Sequence, residues 1–304
     1  MTQEPRTVGT LAAAAGAYSG TSGGLTALTA QIVNSSVTVR CDDGKVLRAL
    51  RRYLNDAIHR VPLENHIEVT IDFDGIEYVL SSGRREISPE VAAETAWEEV
   101  AARLGKALAS FLQIRGLCLD SNGRRFLILV DEAHVLGALA MHCLSRGLDV
   151  PSTTGVCLRG GLATPYALPT EVSEHDFLRF GHATGLELNA LKNHNEMGAV
   201  RYQVAPTHFG RRWIVEARRI DSIVVLKWNP GGWSGFGKRH NHWLLEQILG
   251  SAHMPSAADT SGKLHLLAEA RSLAASVPSV DLHLGNLEDA PPLFMDYFRD
   301  YSGA

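Results

Sequence analysis

The sequence predicts an α/β fold of the mixed α+β kind, organised around one main sheet. Strand-like and helix-like segments alternate from residue 36 onward, the pattern of strands covered by helices. The chain has 304 residues, enough for a full hydrophobic core in one large domain or two modest ones. Hydrophobic residues make up 45% and charged residues 20%, so folding needs no disulfide or metal to supplement the core.

Residues 1–36 are rich in Ala, Gly, Ser and Thr and read as a flexible lead-in, with a short helix at Leu25–Val33. Residues 37–110 read as an N-terminal α/β region. Ser36–Arg40 alternates like a strand, and Lys45–His59 carries Val46, Leu47, Leu50, Leu54 and Ile58 near a helical period. His66–Asp72 and Glu77–Ser81 are strands joined at Asp74-Gly75. Ser88-Pro89-Glu90 starts a helix that runs to about Leu112, with a cap, a proline and an acid at the positive end of the dipole.

The core is expected over residues 111–304. Ile114–Leu119 and Phe126–Val130 are short strands around Asn122-Gly123, and a helix from Ala133 to Ser145 stops at Gly147. Strands follow at Val200–Ala205, Trp213–Ala217 and Ser222–Trp228. Helices follow at Phe177–Thr184, His242–Leu249, Lys263–Ala275 and Asn286–Tyr297.

Composition excludes several classes. Net charge is −4, against a globally basic nucleic-acid binder. No apolar run is long enough for a bilayer span. The first residues lack the basic start of a signal peptide. Cys41, Cys118, Cys143 and Cys157 form no CxxC, which predicts free thiols in a reducing, cytoplasmic setting.

Arg125–His134 is the most motif-like stretch: an apolar strand ending in Asp131-Glu132-Ala133-His134. This is the form of the acidic motif that holds Mg²⁺ in helicases and related ATPases. Such a site also needs a GxxxxGK[ST] phosphate cradle. The one candidate, Gly20–Thr26, has Leu25 where the lysine belongs and no strand leading into it. The same acids also suit a plain helix start.

The order of elements resembles the HPr kinase-related family, whose core is shared with phosphoenolpyruvate carboxykinase. The residues carrying the likeness are Phe111–Asp120, the Asn122-Gly123-Arg124 turn, the Phe126–Val130 strand and the helix closing on Ser145-Arg146-Gly147. Asp221–Leu226 and Val277–Leu293 resemble the family's late strand and its closing strand and helix. The resemblance implies a kinase-like core. The departures imply that its phosphate loop is lost: Val130–Gly137 lacks the glycine-rich turn, the lysine and the hydroxyl, and Ser152-Thr153-Thr154 stands where the family has its acidic pair. Asp131, Glu132 and His134 then form the expected catalytic set, two carboxylates and an imidazole in place of a phosphate cradle, able to hold an amine or take its proton.

Between Arg201 and Trp243 eight Lys or Arg face only two acids, a local balance of +6. Within it, Asn229–His242 carries four glycines, two aromatics and a basic end, and is expected to be a mobile loop that closes on an anion or docks an acidic partner. Ser152, Thr153, Thr154, His194, Arg201, Lys227, Trp233, Lys238, Arg239 and His240 are the expected substrate contacts. His240 and His242 have metal-ligand spacing but no third ligand by sequence, so neither metal nor cofactor is expected. Trp97 and Leu104 are expected in the core.

The chemistry that fits is displacement of a sulfate or phosphate by a neighbouring amine, without ATP. It is similar to aziridine formation by sulfate elimination in azinomycin-type biosynthesis. That resemblance implies the larger subunit of a hetero-oligomer, with a small companion subunit or an acidic carrier protein bearing the substrate. It implies neither nucleic acid nor membrane. A diverged kinase with an unusual nucleotide site and a non-catalytic, partner-binding pseudokinase are the alternatives.

Overall fold

A computed structural model describes residues 21–22, 25–51, 53–54, 57–130, 132–174, 192–194, 200–237, 243–253 and 260–302. It has both helices and sheets, as the alternating pattern predicts. The first layer contains β1 (Thr21–Ser22), β2 (Leu25–Ile32), β3 (Ser35–Cys41), helix α1 (Gly44–Leu50), β4 (Ile58–His59), β5 (Asn65–Phe73), β6 (Tyr78–Leu80), β7 (Arg85–Glu86) and helix α2 (Pro89–Ala107). Its sheet runs β1-β2-β3-β5-β6-β7, with β3 and β5 parallel and the other pairs antiparallel. Val37, Val39, Ile67, Val69 and Ile71 alternate onto a buried face. There they pack with Ala92, Ala96, Val100 and Leu104 of α2. Ser88 caps α2 by accepting from the Val91 amide at 3.4 Å, and Pro89 follows it, as expected.

Two expectations are corrected here. Leu25–Val33 is no helix: Leu25–Ile32 is a strand paired along its length with β3, and it buries Leu28 and Ile32. Cross-strand pairing decides a segment whose Leu and Ala residues favour a helix locally. The lead-in therefore belongs to the first sheet from Leu25 onward. The helix expected over Lys45–His59 stops at Leu50, and Ile58–His59 leaves to pair elsewhere.

The remaining elements are β8 (Leu112–Ile114), β9 (Leu117–Ser121), β10 (Arg124–Val130), α3 (Ala133–Ser145), β11 (Asp149–Ser152), β12 (Val156–Arg159), β13 (Leu162–Pro165), β14 (Thr170–Ser173), β15 (Lys192–His194), β16 (Val200–Val204), β17 (Ile214–Val215), β18 (Ser222–Trp228), β19 (Gly235–Gly237), α4 (Leu244–Ser251), β20 (Ala252–His253), α5 (Thr260–Ser276), β21 (Ser279–Leu284) and α6 (Ala290–Ser302). The central sheet runs β11-β9-β10-β18-β21-β19. Its middle strands β10, β18 and β21 are parallel, with Val130 opposite Leu226 and Leu226 opposite Leu282. Both faces are covered. Phe126, Ile128, Val224 and Leu282 meet the α3 and α6 side, including Phe294 and Phe298. Leu127, Leu129, Ile223 and Val225 meet α4, α5 and the sheet β13-β12-β8-β20. Burial on both faces explains why Phe126–Val130 and Ile223–Leu226 read as unbroken apolar runs. The helix expected at 177–184 lies outside the described residues.

The β9–β10 hairpin turns at Asn122 and Gly123, whose φ values of 52° and 78° are the left-handed pair that Asn-Gly readily adopts. At the base of β10 a buried arginine ties three segments together. The Arg125 guanidinium forks onto Asp120 with two 2.8 Å bonds and donates to the carbonyls of Ala163 at 2.7 Å and Glu216 at 2.8 Å. The first layer joins the rest through β4, parallel to β17, and through the Arg159 guanidinium, which grips Glu64 and lies 4.2 Å over the Phe111 ring.

Candidate functional site

Ligand sites in sheets of this kind gather beyond the carboxyl ends of parallel strands. Here β10, β18 and β21 end on one edge, and β11 ends there too because it runs antiparallel to β9. The connection from Val130 to Ala133 holds two residues. Glu132 is the N-cap of α3, with extended backbone (φ −105°, ψ 105°), an exposed side chain and no capping bond from that side chain to the helix. Eight residues of phosphate cradle do not fit in this turn, and a carboxylate occupies the place where the helix would meet an anion. Asp131 lies outside the described residues. His134 lies in the first turn of α3.

The hydroxyls of Ser152-Thr153-Thr154 reach the same edge, but their hydrogen bonds are spent on the fold, which corrects their expected role. Ser152 Oγ donates to the Tyr166 carbonyl at 2.8 Å and accepts from the Thr154 and Gly155 amides at 3.2 and 3.1 Å. Thr154 Oγ1 donates to the same carbonyl at 2.7 Å, and Thr153 Oγ1 to the Leu168 carbonyl at 3.4 Å. Ser152 and Thr153 are fully buried. Such side-chain bonds to nearby backbone are what Ser and Thr supply in tight turns. These residues fasten the β11–β12 connection and do not offer themselves to a leaving group.

On the other side of β10 the loop after β18 is also corrected. Its described part is pinned rather than mobile. Asn229 and Gly231 amides donate to the Leu284 and Gly285 carbonyls, each at 2.9 Å. Ser234 Oγ donates to Asp289 at 2.5 Å and accepts from the Gly285 amide at 3.0 Å. The loop then adds β19 to the edge of β21. Trp233 is thereby held with 61% of its surface exposed and its ring stacked on His283 at 5.2 Å. On the same face of β21, two residues before His283, the Asp281 carboxylate meets Lys227 Nζ at 3.2 Å.

Asp281 and His283 escaped the sequence reading. Their signal was the alternation Val280-Asp281-Leu282-His283-Leu284, in which the odd positions are polar and face away from the α6 core. The edge therefore carries one exposed carboxylate at the start of α3 and, from the other face of the sheet, an ion pair shared by β18 and β21 and an indole–imidazole stack. An exposed indole suits an ammonium group.

The basic stretch does not form a single patch. Lys227 stands at the carboxyl edge, whereas Arg218 pairs with Glu216 and approaches Asp120 at 3.8 Å near the opposite edge, with Arg219 beside it. The length of β18, roughly 20 Å at 3.3 Å per residue, separates the two groups. Arg201 and His194 belong to the sheet β14-β16-β15, where Asn193 faces Arg201 and His194 faces Val200. Lys238, Arg239, His240 and His242 lie outside the described residues. Among the described residues no three His, Cys, Asp or Glu are grouped to hold a metal ion, and no helix is long and apolar enough to cross a membrane. Compared with known proteins, the chain matches no family model and no curated protein.

Proposed function

We propose that this chain is a biosynthetic enzyme on a repurposed kinase-like scaffold, which closes a ring by internal displacement without using ATP. The substrate carries an amine and, on the neighbouring carbon, a sulfate or phosphate ester. A carboxylate in the turn after β10, Glu132 in the first instance, takes a proton from the ammonium. The freed nitrogen lone pair attacks the adjacent carbon, the carbon–oxygen bond breaks, and the oxyanion departs with that electron pair. The products are an aziridinium ion, which gives its remaining extra proton to water to leave the aziridine, the free anion, and a protonated carboxyl group that also returns its proton to water. Holding nitrogen and leaving group in line supplies most of the catalytic advantage. Trp233 offers its indole face to the ammonium before deprotonation. Lys227, paired with Asp281 at 3.2 Å, supplies a cation at this edge for the leaving anion.

The observation that supports this reading is the two-residue turn from β10 to α3, which leaves Glu132 exposed at the carboxyl end of a parallel strand. The companion subunit and the acidic carrier belong to the proposal through the resemblance alone, because the basic residues do not gather on one face.

The test is release of inorganic anion from a β-amino alkyl sulfate by the purified chain. Glu132→Gln should lower the rate about 100-fold with an unchanged melting temperature. ATP with Mg²⁺ should leave the melting temperature where it was. Absence of release, or release unchanged in Glu132→Gln, would overturn the proposal. A nucleotide-dependent rise in melting temperature would restore the kinase reading.

A further inference from the structure

A second cleft lies at the amino ends of β18 and β21, on the edge opposite the proposed catalytic turn. The β12–β13 hairpin turns at Gly160 and Gly161, with left-handed φ values of 60° and 75°. Both turn amides donate to the Glu269 carboxylate of α5, at 3.0 and 3.3 Å. Ala163 and Arg218 exchange backbone hydrogen bonds at 2.7 and 3.1 Å, which fixes the hairpin's other flank to the approach to β18. The hairpin, α5 and residues 219–221 thus wall a cleft of about 440 Å³. That volume is in the range of sites for small metabolites.

The lining has two characters. Leu158, Ile220 and Leu273 form an apolar floor. Arg219, Glu269 and Ser272 give the walls a cation, an anion and a hydroxyl, and Asp221 adds a second carboxylate. Asp221 already accepts from the Arg125 amide at 2.8 Å, and Glu269 is held by the two glycine amides with His265 at 3.9 Å. Arg219 is exposed at the mouth. A guanidinium receives a carboxylate through two parallel bonds. Two carboxylates close by disfavour a polyanion such as a phosphate and favour a ligand that brings an ammonium group of its own.

We propose that this cleft binds a free α-amino acid with an apolar side chain. The carboxylate lies on Arg219, the ammonium faces Glu269 and Asp221, and the side chain rests on Leu158, Ile220 and Leu273. A free amino acid presents both charges next to one apolar group, whereas a peptide end presents one of them.

The test is calorimetric titration of the intact chain with L-leucine, with 4-methylpentanoate lacking the amine, with isopentylamine lacking the carboxylate, and with inorganic phosphate. L-leucine should bind saturably, and each truncated probe at least about tenfold more weakly, the loss expected for one charged hydrogen-bonding group. Arg219→Ala should weaken L-leucine at least about tenfold, and Arg219→Lys should recover only part of it because a lysine cannot fork. Because Arg219 is exposed, its variants should keep the parent melting temperature, and sulfate release from the β-amino sulfate should be unchanged. No saturable binding of L-leucine at about 10 mM, far above the affinity of a formed metabolite site, would overturn the proposal. So would equal binding of 4-methylpentanoate, a preference for phosphate, or equal affinity in Arg219→Ala.

Discussion

Arg125 is a charge with no exposure to water, tolerated because every part of its guanidinium is engaged. Asp120 takes the fork and two backbone carbonyls take the remaining nitrogen, so the side chain joins the β9–β10 hairpin to the strand at Ala163 and the segment at Glu216. Removing one partner of a buried pair strands the other, at about 3–5 kcal/mol. Arg125→Ala should lose that much in chemical denaturation. Arg125→Lys should lose most of it too, since an ammonium cannot serve a carboxylate fork and two carbonyls at once.

The cysteines are the opposite case, small side chains simply buried. Burial pushes the thiols of Cys118 and Cys157 up to about 12 and that of Cys41 to about 11, and raises Cys143 as well. The thiolate is the reactive form, so all four should react with an aromatic disulfide reagent at neutral pH only as fast as the chain unfolds. Rapid labelling of any of them in the native state would contradict the buried placement. The sequence shows that no two cysteines form a CxxC. Burial of all four becomes visible only when sheet and helix are in place.

Among the elements, the central strands were the most legible. Phe126–Val130 and Ile223–Leu226 read as strands because burial on both faces leaves nothing but apolar residues in them. The helix end at Gly147 was legible for a local reason: its φ of 85° suits glycine. What failed depended on distant partners. Leu25–Ile32 is a strand only because β3 lies beside it. The hydroxyls of Ser152-Thr153-Thr154 look like ligands until the carbonyls of Tyr166 and Leu168 arrive from the next hairpin. The glycine-rich run after β18 suggested mobility by composition, yet its glycines permit close approach. A Cβ on Gly285 would overlap the Gly232 carbonyl oxygen, and this contact is how the loop lies down on the end of β21. Gly285→Ala should therefore lift the loop and separate Trp233 from His283. The expected readouts are a red-shifted tryptophan emission and a loss of sulfate release larger than the loss of stability. An unaltered spectrum would show that the loop's position does not depend on that contact.

At the scale of the molecule, the first layer meets the rest of the chain along a seam in which a histidine is largely buried. His59 lies on β4, whose neighbour β17 carries Ile214 and Val215 in parallel register. Beside it, Ile58 and Arg60 bond to the backbone of Trp213 and Val215 at 2.7 and 2.8 Å, and Arg60 approaches Glu216 at 3.6 Å. Ala57, Trp213 and Val215 form the apolar cluster of this seam. Burial pulls the His59 imidazole down from its ordinary 6.5 to about 4. The folded chain therefore keeps it neutral while the unfolded chain protonates it, so acid favours unfolding. This contribution is complete above the unfolded value of 6.5 and is lost as pH falls from there toward 4. It amounts to at most about 3 kcal/mol over the whole window. The other ion pair of the seam titrates lower: Arg159 holds Glu64 below its ordinary 4.5, so that pair stays intact until pH falls below the carboxylate range. Denaturation measured between about pH 7 and 5 thus separates the histidine from this ion pair. Stability should decline steadily across that interval, and His59→Gln should flatten the decline. An equally steep decline in His59→Gln would place the acid sensitivity elsewhere than in this seam.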